Sequence, residues 1–509
     1  MTFKLPLLLA TAVLVQLAAC GGGGSAAPVP VPPPVVPPPP VVPVPPPPDP
    51  LPPSITLLGR CQTPRPGLGP NGLPYMDQQG TLADELNWVR ALIDETYLWY
   101  REVPAELRAL DFGKPVDYFN ALKTPALTAS GRPRDRFHFS YPSDVWQDLS
   151  NGIERGYGLT WLRDSAPGQL RRWLLTQVER GSPADRAGLR RGDQLLSVDD
   201  DAVADMADPA VAKRVNAGLF PATAGQTHRL LLRRDGAQLA VALTSQSLAV
   251  APVQDVKVLD TPAGKTGYLG FKEHNGLAEP QLVRAITDFK AAGVTELVLD
   301  MRYNGGGLLL VASELAYMVA GPQATAGKVF EQLRQNDKAK PRPPQLFDAV
   351  AYGFAVANPV RRGSSLPYLG LKRVTVLTSA GTCSASESLI NSLRGVDVEV
   401  NLIGGTTCGK PYAFTPAANC GTTYFAIQYQ GVNHKGFGDY ADGFAPTCHV
   451  ADDLGHELGD PAEGLLAAAL NYQRGGGCPA APLAARTPAA AMQLARPAAK
   501  EIAIYTPPR

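Results

Sequence analysis

Arg373-Val374-Thr375-Val376-Leu377-Thr378-Ser379-Ala380-Gly381-Thr382-Cys383-Ser384-Ala385-Ser386-Glu387 reads as two elements joined by a turn. Val374 to Thr378 is largely β-branched and predicts a short buried strand, Ala380-Gly381 breaks it, and Leu389, Ile390 and Leu393 recur at helical spacing beyond Ser384. Ser384 therefore falls where a strand turns into a helix, so its hydroxyl can stand clear of the backbone. The amides that follow, Ala385 first, point from a helix N-terminus toward any negative charge that develops there. The chain returns through a second apolar strand, Val398-Glu399-Val400-Asn401-Leu402-Ile403, into Gly404-Gly405-Thr406-Thr407-Cys408-Gly409-Lys410. Strand, helix, strand is a crossover unit able to bring Lys410 back beside Ser384.

A serine hydroxyl needs a base to become a nucleophile, and a lysine is a base only when neutral. At the reference pKa, neutralising it at pH 7 costs about 4.6 kcal/mol, so burial in an apolar pocket is the remedy expected. Two ordinary readings compete: a serine capping a helix, and a lysine in a glycine-rich loop. A third stretch favours catalysis. Glu296-Leu297-Val298-Leu299-Asp300-Met301-Arg302-Tyr303-Asn304-Gly305-Gly306-Gly307 predicts a buried strand ending in three glycines, with an apolar helix from Leu308 to Val319 after it. Glycines at that place bare backbone N–H groups for an oxyanion or a phosphate. The Lys-Ser/Thr of a nucleotide loop is missing, which favours the oxyanion. Asp300 and Arg302 are read as an ion pair that ties the loop down.

Together these stretches resemble the C-terminal processing (tail-specific) serine peptidases, whose pattern runs Asp-Leu-Arg-x-Asn-x-Gly-Gly, Ser-Ala-Ser-Glu, Gly-Lys. Here it is Asp300-Met301-Arg302-Tyr303-Asn304-Gly305-Gly306-Gly307, Ser384-Ala385-Ser386-Glu387 and Gly409-Lys410. The resemblance implies Ser384 as nucleophile, Lys410 as general base, and the amides of Gly306 and Ala385 as oxyanion donors. One departure is visible: some members orient the lysine with a glutamine where this chain has Phe414, which accepts no hydrogen bond. Ser386 and Glu387 lie near, but Glu387 reads equally well as a helix cap.

Upstream, Gly181-Ser182-Pro183-Ala184-Asp185-Arg186-Ala187-Gly188-Leu189-Arg190-Arg191-Gly192-Asp193 predicts a capped short helix, a glycine stop and a tight turn into a strand. This stretch resembles a PDZ domain. Such domains add a peptide as an extra strand and take its terminal carboxylate in a loop of amides; Tyr157, Gly158, Leu159 and Thr160 are the candidates here, unless Gly158-Leu159 is only a strand start.

The fold expected is multidomain α/β: a helical N-terminal region over 61–148, a PDZ domain over 149–250 and a crotonase-like (ClpP/crotonase) catalytic core over 251–478. Leu86, Val89, Leu92, Ile93 and Tyr97 give the first region its helical spacing, and Gly267–Phe271 and Pro280–Phe289 are the expected first strand and helix of the core. Residues 479–509 are rich in alanine and proline and are expected to lack a fixed fold, although Ile502-Ala503-Ile504-Tyr505 is apolar enough to be a removable or self-recognised end.

Lys4 and the apolar Leu5 to Leu17 lead into Leu17-Ala18-Ala19-Cys20-Gly21, a stretch short for a membrane span. It resembles a bacterial lipoprotein signal over 1–19, which implies lipidation of Cys20, an ordinary secretory signal being the alternative. A Gly/Pro-rich linker is expected over 20–60. Its tract from Pro28 to Pro53, at about 3.1 Å per residue, would reach on the order of 80 Å. The residue after Cys20 is not aspartate, which by the same resemblance implies the outer membrane, facing the periplasm. Six further cysteines, Cys61, Cys383, Cys408, Cys420, Cys448 and Cys478, suit an oxidising compartment. At least one bridge is expected to brace the active site, with Cys61 and Cys478 as a second pair. Cys383 as a nucleophile is the rival to Ser384, but it lacks an evident histidine partner.

A net charge of +1 gives no reason to propose nucleic acid as a partner. His434, His449 and His456 lie among Asp439, Asp442, Asp452 and Asp453 without a zinc-ligand spacing, so no metal or other cofactor is expected. The sequence reads as a serine endopeptidase that binds peptide ends on a PDZ domain and hydrolyses them with a Ser-Lys dyad. The alternative is a non-catalytic peptide-binding periplasmic scaffold lipoprotein.

Overall fold

A computed structural model describes residues 51–69, 72–150, 152–164, 172–262, 264–480, 492–495 and 503–504. The signal segment, Cys20 and most of the proline tract lie outside the described residues.

At the centre is a six-stranded sheet in the order Val253–Thr261, Gly264–Phe271, Glu296–Asp300, Arg373–Thr378, Glu399–Gly404 and Cys448–His449. Its first pair is antiparallel and the others are parallel. The central parallel strands are largely apolar because helices cover both faces, and alternate residues serve opposite cores. Leu297, Leu299, Val376 and Leu402 pack with Leu315, Leu389, Ile390 and Leu393 on one side. Val298, Leu377 and Ile403 pack with Leu465, Leu466 and Ala469 on the other. The expected strand at Gly267–Phe271 is thus preceded by an antiparallel edge strand, and the expected helix is Ala278–Ala291.

In the N-terminal region, Thr81 caps the helix Leu82–Thr96 in a reciprocal box with Asp84, and Leu86, Val89, Leu92, Ile93 and Tyr97 are buried as the periodicity predicts. That core does not close on itself. It takes in Tyr412, Phe414, Tyr424, Phe425 and Ile427, and the strand Phe139–Pro142 pairs with Thr422–Phe425. The region is therefore one wall of the Lys410 loop. The expected linker also ends earlier than position 60: Ser54–Leu57 is helical, Leu57 is buried, and the Ser54 amide donates to Glu95 at 2.7 Å.

The cysteines pair as Cys61–Cys420, Cys383–Cys408 and Cys448–Cys478. The pair Cys61–Cys478 is not formed. Cys61 is held instead beside the 417–425 hairpin, where the Gly59 amide donates to Asn419 at 2.8 Å, while Cys478 follows the helix Gly464–Gln473 back to the sheet edge at Cys448.

The PDZ sheet runs Ala237–Thr244, Thr227–Arg234, Gln194–Val198, Trp173–Val178, Leu159–Asp164 and then Met492–Ala495. Its core holds Tyr157, Trp161, Trp173, Leu175, Leu195 and Leu232. The last strand belongs to the stretch expected to lack a fixed fold, and at 492–495 and 503–504 the structure departs from that expectation. The cause is pairing with distant edges, which composition does not encode.

A buried carboxyl beneath the catalytic core carries a pH prediction. Glu331, on the strand Val329–Arg334, is 3% exposed and accepts a bond from Ser388 Oγ at 2.9 Å. Burial pushes its acid up to about 7, against the pull of that bond. A folded-state pKa raised above the unfolded one gives stability that is complete below the unfolded value and lost as pH rises through the folded one. From pH 4.5 to pH 8 the parent should lose roughly 3 kcal/mol more than Glu331→Gln. Denaturation midpoints of both chains across that range check this, and parallel curves would refute it.

Candidate active site

The strand Arg373–Thr378 leads to Ser384, which caps the helix Ala385–Gly395 with φ 63° and ψ −114°. A non-glycine residue in that region is strained, and the packing around it must hold it there. Thr382 Oγ1 donates to Met301 O at 2.8 Å and the Cys383 amide to Asn304 O at 3.0 Å, tying the turn to the glycine loop. Ser384 is fully buried, and its Oγ has no hydrogen-bond partner among the described residues. Ser384→Gly should therefore be more stable than Ser384→Ala by about 1–2 kcal/mol, because glycine takes this φ freely and is also the better N-cap. Equal unfolding midpoints for the two variants would dispose of the strain.

Glu387 joins the Ser384 turn to the Lys410 loop. Its buried carboxylate accepts the amides of Ser384 at 2.9 Å, Gly409 at 2.8 Å and Lys410 at 2.8 Å, and Thr407 Oγ1 at 2.6 Å. The Ser384 and Lys410 amides share one oxygen, Oε2. Burial raises the acid above its ordinary value while these donors pull it down. Glu387 is thus a cap and a clamp at once, and only the first role was readable from its spacing.

Lys410 is 1% exposed, with Nζ 4.0 Å from the centre of the Phe414 ring and 5.0 Å from that of Phe137. Phe414, the departure noted in the sequence, provides an aromatic face instead of an amide. The bridge Cys383–Cys408 fastens the loop to the Ser384 turn, and Arg136 Nη2 donates to the carbonyls of Cys408 and Gly409 at 2.6 and 3.2 Å. Gly409 has φ 85° and a Cβ there would stand 2.3 Å from Ala441 O, so only glycine fits. In this bridged state Cys383 has no thiol to act as a nucleophile.

The glycine loop is tied down as expected, and by more than one carboxylate. Arg302 pairs with Asp300 at 2.9 Å and also with Glu463 at 2.7 Å and Asp452 at 2.8 Å. Arg191 of the PDZ domain reaches into the same cluster, 2.6 Å from Asp452 and 2.8 Å from Tyr303 Oη, and Tyr303 donates to Asp452. Within the loop, Asn304 Nδ2 donates to Phe271 O at 3.0 Å, so its Oδ1 is the acceptor that takes the Gly306 amide at 3.0 Å and faces His274 Nδ1 at 3.1 Å. Burial pushes His274 down to about 3, so it is a neutral donor through Nδ1. Neither His274 nor this bonding role of Asn304 is signalled in the sequence, because their partners are distant or look like ordinary turn contacts. The Gly306 amide is thus engaged by its own loop. The Ala385 amide, at the first helical position, has no intrahelical acceptor.

Tyr157 is buried with its hydroxyl on Gly218 O at 3.0 Å, and Gly158, at φ 79°, lies so close to Ser182 that a Cβ would approach to 2.3 Å. Leu159 opens a strand. Tyr157, Gly158, Leu159 and Thr160 line a cavity of about 550 Å³ whose other side includes Tyr303, Gly305 and Gly306. The structure therefore brings Ser384, Ala385 and Lys410 together around Glu387, and the PDZ residues together with Gly306 around the cavity. Ser384 and Lys410 do not line that cavity.

Among the described residues one group of metal-ligand side chains lies within mutual reach, Cys383, Glu387 and Cys408, and its two sulfurs are bonded to each other. Asp452 is taken by arginines, Asp453 pairs with His456, and Asp442 is bound by Thr128, Ser130 and Arg132.

Residues 265–429 match peptidase family S41, residues 174–212 a PDZ domain, and residues 84–141 the peptidase S41 N-terminal domain. A carboxyl-terminal-processing protease of Picosynechococcus sp. is 27% identical over 238 residues, 45% of this chain and 49% of the relative. One from Synechocystis sp. is 26% identical over 310 residues, 58% of this chain and 64% of the relative. The chain thus spans about half to two thirds of the length of these relatives. The crystal structure of a candidate S41 protease from Bacteroides fragilis is similar with a TM-score of 0.57 at 26% identity, over 76% of this chain and 97% of that one.

Proposed function

From the premise that this chain carries a peptidase family S41 domain with that family's N-terminal domain and a PDZ domain, we propose a serine endopeptidase that cleaves near the C-terminal ends of extended protein segments. Ser384 is the nucleophile and Lys410 the general base. As Oγ bonds to the carbonyl carbon, Lys410 Nζ takes its proton, then returns it to the leaving amine, and the acyl-enzyme is released by water activated in the same way. The Ala385 amide faces the oxyanion, joined by the Gly306 amide once it turns from Asn304. The loop Tyr157-Gly158-Leu159-Thr160 and the edge beside it take the peptide.

The observation that carries this reading is the strained Ser384, whose amide shares Glu387 Oε2 with the amide of Lys410. A hydroxyl held in an unfavourable conformation, without a hydrogen-bond partner, beside a second buried loop suits a nucleophile better than a helix cap. The chain is also proposed to be a lipoprotein anchored through Cys20 to the outer membrane and facing the periplasm, a reading supported by three disulfides, which form in oxidising compartments.

The test is labelling by a fluorophosphonate, with an unstructured protein as substrate and product ends read by mass spectrometry. Labelling of Ser384 and cleavage that both vanish in Ser384→Ala support the peptidase. Absence of both in the parent would favour a scaffold that binds peptides without cutting them.

A further inference from the structure

The strand Met492–Ala495 lies on the open edge of the PDZ sheet. It pairs antiparallel with Leu159–Asp164, Met492 opposite Asp164 and Ala495 opposite Trp161, so it runs toward the Tyr157-Gly158 loop. A peptide added as a strand to that edge would run the same way. The two faces of the strand meet different domains, as strand alternation requires. Ala495, 6% exposed, packs in the PDZ core and borders the cavity. Leu494 turns the other way: a Cβ at Gly381, in the turn leading to Ser384, would stand 2.3 Å from Leu494 Cδ1. Further along, Ala503–Ile504 pairs in parallel with Gly307–Leu308, next to Gly306, and lies beside Tyr412–Ala413. Two short strands near each other in sequence therefore make backbone pairing at both stations of the proposed peptide path, 492–495 at the PDZ edge and 503–504 at the glycine loop.

We infer that the strands Met492–Ala495 and Ala503–Ile504 are a built-in competitor, seated in cis where an extended substrate would lie, and that substrate must displace them. This rests on the peptidase reading for the meaning of the path. The seat itself rests on the pairing alone. The register also names the ligand class: an extended apolar segment with a small residue toward the PDZ core and an aliphatic one toward the Ser384 turn.

The test compares the full chain with Leu494→Asp/Ala495→Asp, both carrying Ser384→Ala for binding and Ser384 for hydrolysis. A fluorescent peptide of residues 488–509 should bind the double variant at least about tenfold more tightly than the parent. Hydrolysis of an unstructured protein should rise by about the same factor, as expected if the seated state holds some nine tenths of the population. Equal binding to both, or to neither, overturns the inference. A difference in binding with no hydrolysis by either keeps the seat and removes the peptidase. Hydrolysis equal in both, with equal binding, does the reverse. Hydrogen exchange on the unaltered chain gives a reading independent of the variant's folding: amides of 492–495 slowed well below free-chain rates support the pairing, and free-chain rates overturn it.

Discussion

Lys410→Met is expected to fold like the parent and to hydrolyse an unstructured protein about 10³- to 10⁴-fold more slowly in kcat/KM. Methionine keeps the length of the side chain and is apolar, so it fills the space between the rings of Phe137 and Phe414 without asking for a charge to be buried there. The melting temperature should accordingly be unchanged or higher. On the proposed mechanism, what is lost is the acceptor for the Ser384 proton. The hydroxyl itself, the Ala385 amide and the peptide edge remain, and they account for the residual rate. Fluorophosphonate labelling of Ser384 should fall together with hydrolysis, because both need the alkoxide. A Lys410→Met chain that hydrolyses within tenfold of the parent would show that another group takes the proton, and the dyad would have to be abandoned.

The parts of the site that were legible in the sequence are those built from neighbours. Val374 to Thr378 and Glu296 to Asp300 read as strands because a parallel sheet buried on both faces needs an unbroken apolar run, and both are buried almost throughout. The glycine stop after Asn304 and the Asp300–Arg302 pair are local as well. The rest depends on residues that meet only in the fold. Nothing near Arg191 signals that it will reach Tyr303 and Asp452, or that His274 will face Asn304. With six cysteines, spacing leaves the connectivity open, and Cys61 finds Cys420 because the N-terminal region shares a core with 412–427. Phe414 stood out as a departure, yet its use as a face for Lys410 follows only from the loop's path. The pairing of 492–495 was hidden for a different reason: it lies in an alanine- and proline-rich stretch with little strand preference, and the edge of Leu159–Asp164 supplies what that stretch lacks.

Glu387 was half legible, and it carries the second large effect. Replacing it with alanine leaves three buried amides and the Thr407 hydroxyl without their acceptor. Each unpaired buried donor costs about 1–3 kcal/mol, and with relaxation of the loop a loss of about 3–5 kcal/mol in stability is expected. Catalysis should fall by roughly 10²- to 10³-fold, because the amides of Ser384 and Lys410 no longer share an anchor and small displacements of reacting groups cost factors of this size. Glu387→Gln keeps one acceptor but turns an NH₂ toward amide donors, so it should fall between alanine and the parent in both respects. A structural defect alone would lower the amount of active enzyme without changing the chemistry of what remains. The positioning role is separated by a cycle with Lys410→Met. If Glu387 acts by holding the lysine loop to the serine, Glu387→Ala should cost far less activity once Lys410 is gone, while its cost in stability stays the same. An equal loss of activity in both backgrounds would reduce Glu387 to a helix cap and leave the alignment of the dyad to the Cys383–Cys408 bridge.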